Sequence, residues 1–242
     1  VTTPGRWPPA LRVGGLLLVA AALLLGLLVV AGLLATRVKP GSDLAEGDAA
    51  VVEWLAEERT PPLDTASGVV AELGNTAVVI AVGLLAALLA AAVLRRRRPA
   101  LVLAVALVGE LTIFLTTTAV IDRPRPPVPH LDAELPPTSS FPSGHTAASI
   151  CLYGGLAALV LAATRAWWRW LVLVAAVVVV AGVALARLYR GAHFPTDVLG
   201  SVLLAVPWLL VVLRLVPDPD GDEPAVGDRP TGITRPARSA GS

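Results

Sequence analysis

Six long apolar stretches, separated by short polar segments, run through the chain. They cover residues 11–35, 74–94, 100–121, 146–163, 170–186 and 198–215, the fourth and fifth being the shortest. Stretches of about 20 apolar residues match the hydrocarbon thickness of a bilayer. Each is predicted to be a helix, because lipid offers no partners to unpaired backbone groups. The pattern therefore predicts an all-α fold, a polytopic membrane bundle with six transmembrane helices over residues 11–216. Residues 43–59 follow a different rhythm. Leu44, Val51 and Leu55 fall on one helical face and Glu46, Glu53 and Glu57 on another, which suits an interfacial helix on the outer surface or a solvated loop helix. Residues 1–10 form a cytoplasmic N-terminus in this reading. Residues 217–242, rich in Pro, Gly, Asp and Arg, are expected to be a disordered cytoplasmic tail.

Basic residues near the span ends set the orientation. With the N-terminus inside, the cytoplasmic side receives Arg6, Arg12, the run Arg95, Arg96, Arg97 and Arg98, then Arg165, Arg169 and Arg214. The four-arginine turn predicts an N-in, C-in arrangement. The outer side still receives Arg123, Arg125, Arg187 and Arg190, and these departures from the topology rule mark candidate function. Composition agrees with a membrane protein: 55% of residues are hydrophobic and 15% charged, against about a quarter charged in soluble domains. The net charge of +1 gives no reason to expect a nucleic-acid partner. The single cysteine, Cys151, excludes a disulfide within the chain, and no C-x-x-C or His/Cys cluster suggests a metal site. The bias toward Ala, Val, Leu, Arg, Gly and Pro points to a GC-rich bacterial genome, hence a plasma membrane.

Three polar clusters meet at one membrane face under this topology. The loop after the third span reads TTTAVIDRPRPPVPH, the fourth span opens with FPSGH, and the loop before the sixth reads ARLYRGAHFPTDVLG. Pro124 and Pro126 keep Arg123 and Arg125 in an extended segment, and arginine offers a planar fork of donors to phosphate oxygens. Ser143 suits a helix N-cap, Gly144 permits close backbone approach to a ligand, and the free amides of that first turn can hold an anion. His145, beside such an anion, can hand over a proton as an imidazolium. Asp197 follows His193 by four residues and can orient its ring as a nucleophile. Pro195 is acceptable in the first helical turn, and Arg187 adds positive charge. His130 reads as a loop residue and intramembrane Glu110 as a packing group. Trp167, Trp168 and Trp170 read as an interfacial belt.

These residues resemble the type 2 phosphatidic acid phosphatase family, whose core is shared with vanadium haloperoxidases. Its pattern runs K-x6-R-P, then P-S-G-H, then S-R-x5-H-x3-D. The second part is complete at Pro142, Ser143, Gly144 and His145. The third has Arg187, His193 and Asp197 at the right spacing, with Ala186 in place of the leading serine. The first keeps Arg125 and Pro126, and Thr118 stands where the lysine is expected. The resemblance spans about residues 70 to 215. It implies a membrane phosphatase with His193 as nucleophile, Asp197 orienting it and His145 protonating the leaving oxygen. Arg125, Arg187, Ser143 and Gly144, with Arg123 and Thr118 as further candidates, would hold the phosphoryl group. It implies no metal or other cofactor, and membrane lipids as surroundings. The substrate it implies is a lipid phosphate or diphosphate: phosphatidic acid, phosphatidylglycerol phosphate or polyprenyl diphosphate. A lipid phosphotransferase with the same site, or a non-catalytic lipid-phosphate binder or transporter, remains an alternative.

Overall fold

The structure is a computed structural model describing residues 9–37, 41–93, 95–132, 135 and 138–219. Most of the predicted tail and the first eight residues lie outside these. Among the described residues every regular element is helical: α1 (Pro9–Thr36), α2 (Asp43–Glu57), α3 (Pro61–Glu72), α4 (Thr76–Ala92), α5 (Arg98–Val120), α6 (Gly144–Ala163), α7 (Arg169–Tyr189) and α8 (Pro195–Leu215). Five of them, α1, α5, α6, α7 and α8, are long and apolar enough to cross a bilayer. The 17-residue α4 reaches that length only together with α3, from which it bends by 49°. The expected all-α membrane bundle is the observed fold. Its helices extend past the apolar runs: Gly144 and Pro195 stand in first helical turns, as their motifs suggest, and Arg187 lies in the last turn of α7.

The core lies where α1, α5 and α8 meet. Leu28, Val102, Ala106, Leu204 and Val212 are buried there, and the Trp208 indole donates to the Ala106 carbonyl at 2.9 Å. Around this core, Leu18, Leu23, Leu88, Val108 and Leu210 point outward, as lipid-facing side chains do in a bundle whose solvent is hydrocarbon. In α6, residues Ile150–Gly154 form a π-helical turn, a local widening often found near functional sites.

The segment at 43–59 is helical as expected, and its apolar face and its docked face coincide only at Leu55. Asp48, Val52 and Leu55 face inward, whereas Leu44 is 52% exposed and Val51 also points out. The reason is the Asp48 carboxylate, whose partners lie beneath the helix and fix its rotation. The helix α3 was not anticipated; Thr60 at its N-cap and Pro61 at its first position are a start signal that composition alone obscured. Together α2 and α3 pack over α7, and α2 also touches α8. Arg59 donates to the Tyr189 carbonyl at 2.8 Å and the Pro129 carbonyl at 2.7 Å. The Tyr189 hydroxyl donates to Asp64 at 2.7 Å. These bonds cap the end of the bundle that carries the polar motifs.

Candidate active site

Chain direction alternates through the last spans, so the C-terminal ends of α5 and α7 lie beside the N-terminal ends of α6 and α8. A cavity of about 220 Å³ opens at this end. Arg125, Arg187, His145 and His193 line its polar part, and Val79, Ile80, Leu107, Leu111 and Phe114 line its apolar part. Two histidines 48 positions apart in sequence thus face one basic space.

His193 owes its position to the end of α7. Gly191 adopts φ +76°, a left-handed conformation that favours glycine. Its amide donates to the Leu188 carbonyl and that of Ala192 to Arg187, both at 3.0 Å, the Schellman pattern of a helix stop. Arg125 Nη1 donates to the Ala192 carbonyl at 2.9 Å and braces the same turn. The His193 ring is buried, and its Nδ1 lies 2.7 Å from the Ser140 carbonyl. A carbonyl only accepts, so Nδ1 carries the proton and Nε2 keeps its lone pair. Asp197 stands 3.7 Å from Nδ1. The expected direct hydrogen bond between Asp197 and His193 is therefore replaced by one to Ser140, with the carboxylate close by as an electrostatic neighbour. Burial pulls the His193 pKa below the ordinary imidazole range, against the opposing effect of Asp197. Asp197 is itself held by the Phe194 amide at 2.8 Å and by Arg123 Nη1.

The mouth of α6 differs in detail from the expected cap. Ser143 occupies the N-cap position, but its hydroxyl pairs with the Thr146 hydroxyl at 3.1 Å rather than with a backbone amide. Its carbonyl accepts from Ser201 Oγ at 2.7 Å, tying α6 to α8. Among the described residues the amides of Gly144, His145 and Thr146 have no hydrogen-bond partner. Gly144 is needed for packing as well: a Cβ there would sit 2.9 Å from the Phe114 ring. The His145 ring lines the cavity and makes no hydrogen bond among the described residues.

Arg187 contributes its Nη1 to Asp132 at 2.8 Å, while Arg190 Nε takes the other Asp132 oxygen at 2.6 Å. Burial acts to raise the Asp132 carboxyl, yet the two guanidiniums outweigh it and hold its pKa below the ordinary carboxylate value. The Arg187 Nε–H is buried and unpartnered among the described residues, an unsatisfied donor on a residue that lines the cavity.

Three predicted phosphate contacts, Ser143, Arg123 and Thr118, do not line the cavity. Arg123 does not line the cavity; it pairs with Asp48, Thr196 and Asp197. Thr118 bonds the Leu115 carbonyl at 3.0 Å and is likewise outside it. In a proline-rich stretch with three residues per turn, side chains at i and i+2 diverge by about 120°, which separates Arg123 from Arg125. His130 lies 3.2 Å from the Pro126 carbonyl, within its loop. Glu110, read as a packing group, lines the apolar part of the cavity with no hydrogen-bond partner among the described residues. Sequence reasoning missed Ser140, Asp132 and Asp48. Only Asp48 left a trace, as a carboxylate on the helix face shared by Val52 and Leu55.

Apolar spans around a cavity that pairs two histidines with two arginines define a helical bundle of the multi-pass membrane class with a basic, histidine-bearing site. The chain belongs to the PAP2 superfamily, whose family model matches residues 73–220. Its fold is similar to the crystal structure of the first transmembrane PAP2 type phosphatidylglycerolphosphate phosphatase from Bacillus subtilis. The two share 21% sequence identity and a TM-score of 0.66, over 86% of this chain and 96% of that one. No curated protein matches the chain.

Proposed function

We propose that the protein hydrolyses the terminal phosphate of a lipid phosphate or diphosphate through a phosphohistidine at the outer face of a bacterial plasma membrane. The observation that carries this reading is the shared cavity of His145, His193, Arg125 and Arg187. His193 Nε2 attacks phosphorus, and the bond from phosphorus to the lipid oxygen breaks. His145 gives its proton to that leaving oxygen; the incoming phosphate supplies the negative charge that favours the imidazolium. In the second half His145 takes a proton from water, whose oxygen attacks phosphorus. The P–N bond breaks, and inorganic phosphate leaves with His193 restored. Arg125, Arg187 and the amides from Gly144 onward stabilise the equatorial oxygens. The apolar continuation of the cavity, lined by Val79, Leu107 and Leu111, supports an amphiphilic substrate. The arginine bias of the predicted inner loops supports an N-in, C-in orientation that faces the site outward.

The test is phosphate release by purified protein from phosphatidic acid, phosphatidylglycerol phosphate and polyprenyl diphosphate in mixed micelles. His193→Ala and His145→Ala are expected to abolish release with helicity intact. Release at the parental rate by either variant overturns the assignment.

A further inference from the structure

We infer that Asp48 is a positioning residue for this reaction: from α2, it holds Arg123 and the first turn of α8 so that Asp197 stays fixed beside the His193 ring. The inference rests on the proposed role of His193. Asp48 precedes the stretch that matches the family, residues 73–220, so this support belongs to the chain's own N-terminal segment.

The geometry is closed and buried. Arg123 Nη2 donates to Asp48 Oδ2 at 2.8 Å, and its Nη1 serves Asp197 Oδ1 and Thr196 Oγ1, the latter at 2.7 Å. Arg123, Asp48 and Asp197 are 8%, 6% and 0% exposed, so solvent screens these charges weakly. Asp48 also reaches α8 directly. Its Oδ1 accepts the Thr196 amide at 3.0 Å, and its Oδ2 takes the Thr196 hydroxyl. The N-cap of α8 is Phe194, whose side chain cannot cap. Asp48 therefore satisfies an orphan amide of that first turn from another helix, one residue before Asp197.

The charge count gives the arrangement its consequence. One guanidinium lies between two carboxylates, so this trio carries a net negative charge on the Asp197 side of His193, opposite Arg125 and Arg187. With Asp48 neutral, both ends of the Arg123 fork would turn to Asp197, neutralise it and draw it from the Phe194 amide. His193 would lose its oriented anion while every group lining the cavity stayed in place.

The experiment compares Asp48→Asn, Val52→Ala and Glu53→Ala in the full chain, each normalised to active sites by burst titration of released lipid alcohol. Val52 is buried on the docked face of α2 and Glu53 is exposed on the other. Asp48→Asn is expected to lower kcat by about ten- to a hundredfold, the usual scale for a group acting through another. It is also expected to move the acid limb of the pH–rate profile to lower pH. Removing a negative charge favours the neutral imidazole, while the other groups facing His193, namely Asp197, Arg125, Arg187 and His145, are unchanged in identity. Val52→Ala is expected to lower thermal stability and Glu53→Ala to do nothing, both with the limb unmoved. An Asp48→Asn enzyme with parental kcat per active site, or with an unmoved limb, overturns the inference. If His193→Ala remains active, the proposed function itself fails, and that result is distinct from a silent Asp48→Asn.

Discussion

Arg187→Lys isolates the donor that the cavity leaves over. Asp132 is shared by Arg187 at 2.8 Å and Arg190 at 2.6 Å. A lysine can keep the first contact, and Arg190 keeps the second, so Asp132 does not become a lone buried charge and the fold should lose little stability. What the substitution removes is the planar fork and with it the buried Nε–H that has no partner among the described residues. If that N–H meets a phosphoryl oxygen in the transition state, one hydrogen bond to a charged group is lost, about 1.5–3 kcal/mol. At 1.36 kcal/mol per decade this is roughly a 13- to 160-fold fall in kcat/KM. The assay is initial-rate phosphate release against lipid-phosphate concentration in mixed micelles, beside a thermal melt of the same preparation. Arg187→Gln should fall further, since it also removes the charge. A lysine variant with parental kcat/KM would show that the Nε–H is not aimed at the phosphoryl group.

Because burial holds the His193 pKa below the ordinary 6.5, its neutral form persists as pH falls through that value. Catalysis should therefore decline only at lower pH, and an acid limb of kcat/KM at or above 6.5 would contradict a buried nucleophile. The same shift gives folding stability a sign: the unfolded chain takes up this proton near 6.5 and the folded one later, so this contribution is lost as pH drops below 6.5. Gly144→Ala drives a methyl to 2.9 Å from the Phe114 ring and should cost about 1–3 kcal/mol. Adding Phe114→Ala should recover part of it, and strict additivity in the double-mutant cycle would refute the contact. Glu110→Leu should leave the melting temperature unchanged or raised, since the carboxyl has no hydrogen-bond partner among the described residues to lose, and should alter KM more than kcat; a large drop in melting temperature would show a structural role instead.

The spans were legible because lipid imposes one answer on a long apolar run. The joint placement of His145 and His193 was legible because alternating helices bring every second connection to the same end. Rotation and pairing were not. The pattern grouped Leu44, Val51 and Leu55 on one apolar face of α2 but did not show which face docks; Leu44 and Val51 point outward, and the docked face carries a buried carboxylate, Asp48, with a cation and an amide beneath it. Arg123 and Arg125 share residue type, a following proline and charge; the motif register favours Arg125, but nothing in the sequence shows that Arg123 holds Asp197. That difference depends on residue 48, 75 positions from Arg123, at a range no periodicity spans. Ser140 acts on His193 through its carbonyl, a group every residue has, and so it leaves no mark on the sequence. Motif reading therefore found side chains that line the cavity and misassigned some that pair with each other. The same asymmetry explains Thr118. Its place in the spacing pattern made it a candidate, but its hydroxyl turns back to the Leu115 carbonyl. The positive charge of the cavity comes instead from Arg125 and Arg187, whose guanidiniums are braced by Ala192 and Asp132. A site built this way depends on the two connections that fix its cations: Asp132, before α6, holds Arg187, and the turn at Gly191 presents the Ala192 carbonyl to Arg125.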